Sequence, residues 1–376
     1  AEDIKKMPNR NANSIATSIG GVFSEDGERG NVRGARSDQT VMFIDGIRVI
    51  GSSSLPQSAI EQVSVYLGGL PAQYGDARGG IINVTTKGPS RTFGAGIELE
   101  TSKFLDAFGQ SRLGLNMQGP LIKGKQEGQT SLLGYFISGD FTYQEDTRPA
   151  AYGWNVATTD ALNYLRETPL RPSGLTGGGT FSNGEFVTQS DIENKKASSN
   201  TSRYGINLSG KLDVRTSQNT TLTFGGQFNY GDGNRYTNGT FAHQMFNFDK
   251  NYLDLDNTWR VFGRFTQRFP SSSESSALVK NVYYSLQFDY SEVNNRNMDP
   301  DHKDDLFKYG YLGKYTTYKR PTYELGEVEL DGVNYENVYL LNSWDSDTAY
   351  IFDPRNYNPY TARYTSMIYE LFPDKG

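Results

Sequence analysis

Downstream of residue 90 the chain alternates between apolar and polar side chains over seven stretches, the period-two pattern of β-strands with one apolar face. Phe93, Ala95, Ile97 and Leu99 stand against Gly94, Gly96, Glu98 and Glu100, and Leu113, Leu115 and Met117 stand against Arg112, Gly114, Asn116 and Gln118. A third stretch sets Leu133, Tyr135, Ile137, Gly139, Phe141 and Tyr143 against Ser138, Asp140 and Thr142. The most regular sets Tyr204, Ile206, Leu208, Gly210, Leu212 and Val214 against Arg203, Asn207, Ser209, Lys211 and Asp213. Leu222, Phe224, Phe228 and Tyr230 then oppose Thr221, Thr223, Gln227 and Asn229, and Trp259, Val261 and Phe265 oppose Arg260, Arg264 and Arg268, with Phe262 breaking the alternation. The seventh sets Val282, Tyr284, Leu286, Phe288 and Tyr290 against Ser285, Gln287, Asp289 and Ser291. Each holds roughly the 9–11 residues that cross a bilayer at a tilt.

A soluble antiparallel sandwich also alternates, so the connections have to decide. They cover residues 104–110, 122–129, 145–200, 215–218, 233–255, 271–276 and 296 to the end, and after the first they alternate short and long. Outer-membrane barrels sort their connections in this way, with short periplasmic turns and longer external loops. The first strand therefore runs outward. Aromatic residues near strand ends (Tyr143, Tyr204, Tyr230, Trp259, Phe269, Tyr290) fit interfacial girdles, and the charged face fits a wet lumen. Seven is an odd number, and residues 297–376 read as an unfinished surface loop rich in Tyr, Asn and Asp. A barrel in lipid leaves no open edge, so further strands are expected beyond Gly376.

Before residue 90 the pattern is different, with short apolar runs broken by glycines. Lys87-Gly88-Pro89-Ser90 reads as a loop, which places a boundary at about residues 87–91. Val41 to Val49 reads as a hairpin through Asp45-Gly46. A helical turn over residues 56–61 feeds a strand at 63–66, and Ile81 to Lys87 reads as a closing strand. Physically this is a small α/β unit whose glycines permit positive-φ turns and close packing.

Four motifs follow one another here: Val32-Arg33-Gly34; Phe43-Ile44-Asp45-Gly46-Ile47; Ile60-Glu61-Gln62-Val63-Ser64-Val65; and Gln73-Tyr74-Gly75-Asp76-Ala77-Arg78-Gly79-Gly80-Ile81-Ile82-Asn83-Val84-Thr85-Thr86-Lys87. In this order they resemble the plug domain of TonB-dependent outer-membrane receptors. Gln118-Gly119-Pro120-Leu121-Ile122-Lys123-Gly124-Lys125 resembles the early barrel turn of the Oar-like receptors of Bacteroidetes, which carry a carboxypeptidase-regulatory-like domain ahead of the plug. The resemblance implies a mixed fold: a small α/β plug over residues 1–90, then an antiparallel transmembrane β-barrel of about 22 strands, of which residues 91–376 supply about seven. Where many plugs carry Lys-Gly-Pro, this one has Leu67-Gly68-Gly69-Leu70-Pro71, and no TonB box is recognisable ahead of Ile4.

Composition narrows the function classes. The 376 residues hold no cysteine and two histidines, His243 and His302, which excludes thiolate metal sites, disulfides and a cysteine nucleophile. A net charge of −6 argues against nucleic acid as a partner. Apolar residues are only 36%, while 25 Tyr, 21 Phe and 3 Trp make the chain 13% aromatic, which suits rings placed at an interface better than a thick core. No apolar run is long enough for a transmembrane helix. Gly119 to Gln126 approaches a phosphate-binding loop but has Gln126 in place of the magnesium-binding hydroxyl. Asp299, Asp301, Asp304 and Asp305 match no calcium-loop template and read as a solvated acidic loop.

The resemblance implies a receptor, not an enzyme, without catalytic site, metal or cofactor. It would bind an extracellular ligand, which the sequence does not identify, and import it through energy-coupled rearrangement of the plug. The implied partners are outer-membrane lipid, a TonB-type periplasmic energy-coupling protein acting through a segment not in this chain, and a surface lipoprotein or other subunits of an outer-membrane complex. The alternative is a receptor-like barrel serving as a structural or accessory subunit of a secretion or surface-protein complex, without import. Arg33, Gly34, Asp45, Gly46, Tyr74, Gly75, Arg78, Gly79 and Gly80 are the plug-signature and gating candidates. Arg33 and Arg78 are candidates to pair with Glu98, Asp140 or Asp213 on the barrel wall, and solvation of each is the alternative. The Tyr- and Asn-rich stretch from Tyr335 to Tyr369 reads either as ligand-binding surface or as plain external loop.

Overall fold

A computed structural model describes residues 4, 7, 12–24, 31–32, 34, 39–49, 55–69, 79–124, 131–176, 178–235, 241–270 and 281–372. The chain forms two compact units, one of residues 1–151, 196–237 and 251–297, the other of residues 152–195, 238–250 and 298–376.

The first unit opens with helix α1 (Ala12–Thr17) and the two-residue strands β1 (Val22–Phe23) and β2 (Asn31–Val32). A four-stranded sheet follows, built from β3 (Thr40–Ile44), β4 (Ile47–Arg48), β5 (Ile60–Tyr66) and β6 (Gly80–Thr86) in the order β4-β3-β6-β5. The expected hairpin is present: β3 and β4 pair antiparallel across Asp45 and Gly46, both at positive φ (53° and 82°), as a two-residue type I′ turn requires. The expected helical turn is a 3-10 turn, Gln57–Ala59, leading into β5. Strand β6 lies between β3, parallel to it, and β5, antiparallel, and is covered on both faces; its Ile81, Ile82 and Val84 are fully buried. That explains why it reads as a continuous apolar run with no alternation. Ile15 and Ala16 of α1 pack with Met42, Ile44, Ile60, Ile82 and Val84 to form the core.

All seven alternating stretches appear as strands of one sheet: β7 (Gly94–Thr101), β8 (Ser111–Ile122), β9 (Leu133–Gln144), β14 (Arg203–Arg215), β15 (Thr220–Arg235), β16 (Tyr252–Phe269) and β17 (Val282–Met298), in the order β17-β16-β15-β14-β9-β8-β7. The pairs from β7 through β16 are antiparallel. Burial is inverted relative to a water-soluble sheet. On the apolar face, Ile97 is 75% exposed, Leu286 67% and Phe288 74%, whereas on the polar face Ser138 and Arg260 are 0% and 3% exposed. The apolar face carries aromatic pairs at two levels, Tyr143 with Tyr204 (5.0 Å) and Trp259 with Tyr290 (5.1 Å) at one end, and Tyr284 with Phe265 and Phe269 (5.9 and 6.0 Å) at the other. From Trp259 to Phe269 the strand rises about 33 Å, or about 25 Å along the axis of a barrel tilted by about 40°, which is the height of a membrane-facing apolar band. Phe262, the break in the alternation, lies on the polar face opposite Gly225, where an added Cβ would sit 2.3 Å from its ring. The glycine leaves the space that the ring fills.

The second unit corrects the reading of residues 297–376 as a surface loop. It contains a long hairpin, β18 (Gly313–Leu330) with β19 (Val333–Pro354), followed by helix α4 (Pro359–Leu371). The hairpin turns through Asp331-Gly332 (φ 52° and 76°), the same two-residue cue as Asp45-Gly46. Register shifts explain why the sequence hides it, because those between Thr322 and Tyr323 and between Gly326 and Val328 each place one extra residue in β19 and so put the side chains that follow it on the other face, which erases the alternation. Between shifts, Tyr323 pairs with Leu341 and Leu325 with Tyr339, all exposed. The connection after β9 also carries its own elements: β10 (Trp154–Ala157) paired with β13 (Ile192–Lys195), β11 (Leu170–Pro172) paired with β12 (Thr180–Ser182), and helix α2 (Thr159–Glu167), capped by Thr158. The shorter connection before β16 holds helix α3 (Phe241–Phe246). Arg166 bonds Asp249 at 2.8 Å and lies 4.5 Å over the Tyr360 ring. Lys250 loses basicity to burial and regains more from its hydrogen bond and charge pairing with Asp301, so its pKa stands above the ordinary lysine value. Of the proposed acidic cluster, Asp301 is thus paired with Lys250, Asp305 with Lys308, and Asp299 accepts two backbone N–H groups.

These exposures predict a depth-dependent cost on the apolar face. Ile137→Arg, in mid-strand, should destabilise folding into phospholipid vesicles by about 2–4 kcal/mol, and Tyr204→Arg, at the aromatic level, by about 0–1 kcal/mol. Equilibrium refolding titrations measure both.

Candidate functional site

The small sheet meets the polar face of the wall at the Asp45-Gly46 turn. Three donors converge on the Asp45 carboxylate. Asp45 Oδ1 accepts from the backbone N–H of Thr86 at 3.0 Å and from the Lys211 ammonium at 2.8 Å, while Oδ2 accepts the Thr86 hydroxyl at 2.6 Å. Lys211, on β14, also donates to the Thr86 carbonyl at 3.0 Å. The Asp45 N–H donates to the Val84 carbonyl at 2.9 Å, and the Asp45 carbonyl accepts from Arg264 of β16. Arg264 is itself held by Gln287 of β17 at 2.8 Å. One turn is therefore fastened directly to two wall strands, and through Arg264 to a third. The Asp45 and Lys211 side chains are 5% and 11% exposed, so the pair is desolvated, and such a pair sets register more than it adds stability. Gly46 is favoured by its φ of 82°, a left-handed conformation that a residue with a Cβ adopts only with strain.

A second fastening lies at the 3-10 turn. The Ser58 hydroxyl is 2.6 Å from the hydroxyl of Ser138 on β9, and Lys87 donates to the Ser58 carbonyl at 2.7 Å. Gly80, at the start of β6, packs so closely that an added Cβ would be 2.6 Å from Val32. Gly79 donates to the Gln39 carbonyl at 3.2 Å, and Gly34 has a φ of 78°. Of the gating candidates, Asp45 and Gly46 thus lie at the junction and Gly34, Gly79 and Gly80 within the small sheet's own loops and strands. Arg33, Tyr74, Gly75 and Arg78 lie outside the described residues. The wall acids named for Arg33 and Arg78 have other partners: Arg112 bridges Glu98 (3.0 Å) and Asp140 (2.6 Å), and Asp213 accepts the Thr223 hydroxyl at 2.7 Å. Sequence reasoning missed Lys211 as the partner of Asp45. The one signal available was a cation on the polar face of the most regular strand.

Toward the end of the wall where β7, β9, β15 and β17 finish, the polar face holds a cavity of about 540 Å³. Gly205 and Gly231, directly opposed on β14 and β15, line it, and Thr142 and Asp256 continue that row on β9 and β16. The next row brings Asn207, Asn229 and Thr258 together, with Asn229 donating to Asn207 at 2.9 Å. Arg203 is the cation among the described lining residues and lies 3.8 Å from both Asp254 and Asp256. In the second unit a cavity of about 450 Å³ lies beside α2; its Arg171 stacks 3.8 Å over Phe186 and donates to Asn183 at 2.5 Å. Among the described residues no group of three or more His, Cys, Asp or Glu side chains is placed to hold a metal ion.

Comparison with known proteins identifies the small sheet. Residues 1–81 match the family model of the TonB-dependent Receptor Plug Domain. The Probable TonB-dependent siderophore receptor PirA of Acinetobacter baumannii is 29% identical over 174 residues, which cover 38% of this chain and 22% of the relative. Crystal structures of the siderophore receptor PirA from Acinetobacter baumannii (TM-score 0.44, 16% identity, 76% of this chain and 43% of that one) and from Pseudomonas aeruginosa (TM-score 0.45, 17% identity, 78% and 40%) are also similar. The chain spans less than half the length of each. These relatives are named as receptors, and none bears on the narrower Oar-like resemblance.

The junction predicts a non-additive pair. Lys211→Met leaves the Asp45 carboxylate buried without its ammonium and should cost about 3–5 kcal/mol, most of which a further Asp45→Asn should recover. Hydrogen exchange at the Thr86 amide, which bonds Asp45 directly, reads the local opening; losses that simply add would mean the two groups are not coupled.

Proposed function

We propose, from the premise that this chain belongs to the TonB-dependent outer-membrane receptors, that it binds an extracellular ligand and imports it by a plug rearrangement driven from the periplasm. The observation that carries the reading is the seating of the plug turn, through Asp45, on the polar face of a wall whose opposite face is apolar. An apolar outside fits the outer-membrane lipid, and a polar inside fits a water-filled path that the plug closes. The energy-coupling partner is a TonB-type periplasmic protein pulling on the N-terminal side of the plug. Polar contacts suit a closure that has to open repeatedly, because water replaces hydrogen bonds at small net cost while an apolar seal would resist separation. Ligand binding at the external end biases the plug between a seated and a released state, and it does so only as far as its affinity differs between the two. Gly34, Gly46, Gly79 and Gly80, with Arg33, Tyr74, Gly75 and Arg78, remain the gating candidates; Asp45 is the residue that holds the seat. The relatives favour import over an accessory role, and siderophores are the ligand class their names carry.

These 376 residues hold no cysteine, which allows a clean test. Ser58 and Ser138 place their hydroxyls 2.6 Å apart across the junction, close enough for a disulfide between cysteines at these sites. A strain whose only copy carries Ser58→Cys and Ser138→Cys should match the deletion strain on defined iron and carbon sources when oxidised, and recover when reduced. Normal growth with the cross-link formed, or a deletion strain with no defect on any source, would favour the accessory role.

A further inference from the structure

The cavity on the wall carries a statement about ligand chemistry, which rests on the receptor reading above. Its floor is backbone, since Gly205 and Gly231 oppose each other and present no side chain. Position 205 has no room for one, because an added Cβ would sit 2.4 Å from the Thr142 hydroxyl, whereas at position 231 the nearest atom would be 3.7 Å away. Around the floor stand Gln110, Gln144, Asn207, Asn229 and Asn295 with Thr142 and Thr258, groups that each donate and accept. Asn207 uses its carbonyl to accept from Asn229, which leaves its amide hydrogens to the cavity. Charge is balanced: Arg203 and Asp256 both line the cavity and face each other, and Asp254 lies on the same guanidinium and also on Arg235 at 3.2 Å.

An anionic ligand needs a cation whose charge is not already met, and here it would also approach Asp254 and Asp256. A hydroxyl-rich neutral ligand needs paired donors and acceptors along a shallow polar floor, which the amides and threonines supply. The volume of about 540 Å³ falls within the range of small-ligand sites. We propose that the cavity over Gly205 and Gly231 binds a neutral, hydroxyl-rich ligand, a saccharide chain, and not an anionic iron chelate.

The test uses the full chain purified in detergent micelles, its folded state checked by heat-dependent gel mobility. A glycan array of neutral oligosaccharides is followed by calorimetry on the retained sugars, with a ferric tris-catecholate and a ferric tris-hydroxamate as competitors of the other class. The expected result is retention of neutral sugars. Their affinity should fall at least tenfold in Asn207→Ala with Asn229→Ala, and fall similarly in Gly231→Leu, which fills the floor without touching the Asp45 junction. No retained neutral sugar, preference for either iron chelate, or unchanged affinity in both folded variants would overturn the proposal. The two readings fail separately. Sugar binding without import removes the import reading and keeps the cavity assignment; import of an iron chelate without sugar binding does the reverse.

Discussion

A sheet with its polar side chains turned inward needs something polar to meet them, and the rest of this molecule follows from that need. Ser138, Ser209, Gln227, Asn229, Thr258 and Arg260 are buried on the polar face of the wall, while Ile137, Leu208 and Val261, beside them in sequence, are exposed. In water this arrangement would be unstable, since the apolar face would seek a partner and the polar face would not need one. In lipid the same arrangement is the stable one. The apolar band then requires no protein cover, and the inward groups are satisfied by one another, by water and by the plug.

The plug meets this wall at the Asp45-Gly46 turn and again at the 3-10 turn that carries Ser58. Two consecutive residues at positive φ carry Asp45 into a set of donors drawn from β6, β14 and β16. A desolvated ion pair is a poor source of net stability but a strict one of geometry, because removing either partner strands the other. That combination suits the proposed function, in which the plug sits in one place and is released from it.

How far the sequence discloses this depends on the range of the interaction. The Asp45-Gly46 hairpin and the seven wall strands rest on local signals, a two-residue turn and a period of two, and both are legible. Phe262 looks like a fault until Gly225 on the neighbouring strand is seen beneath its ring. The β18–β19 hairpin is hidden because two one-residue bulges reset its alternation, although Asp331-Gly332 repeats the cue read at Asp45-Gly46. The pairing of Asp45 with Lys211 joins positions 166 residues apart and needs the placement of the plug on the wall, which no spacing encodes. The cavity is subtler still. Gly205, Gly231, Asn207 and Asn229 are unremarkable singly, and only the registers of β9, β14, β15 and β16 bring them into two adjacent rows.

Strand β14 reports the inversion of the wall most directly, because it carries both the most regular alternation and the Lys211 contact. In this cysteine-free chain, single cysteines placed along residues 203–215 and given a nitroxide label report their surroundings by relaxation in lipid-soluble oxygen and in a water-soluble nickel complex. The account predicts a strict alternation, with positions 206, 208, 212 and 214 accessible to oxygen and positions 207, 209, 211 and 213 shielded from it. Uniform access to the nickel complex along the strand, or the opposite phase, would contradict it.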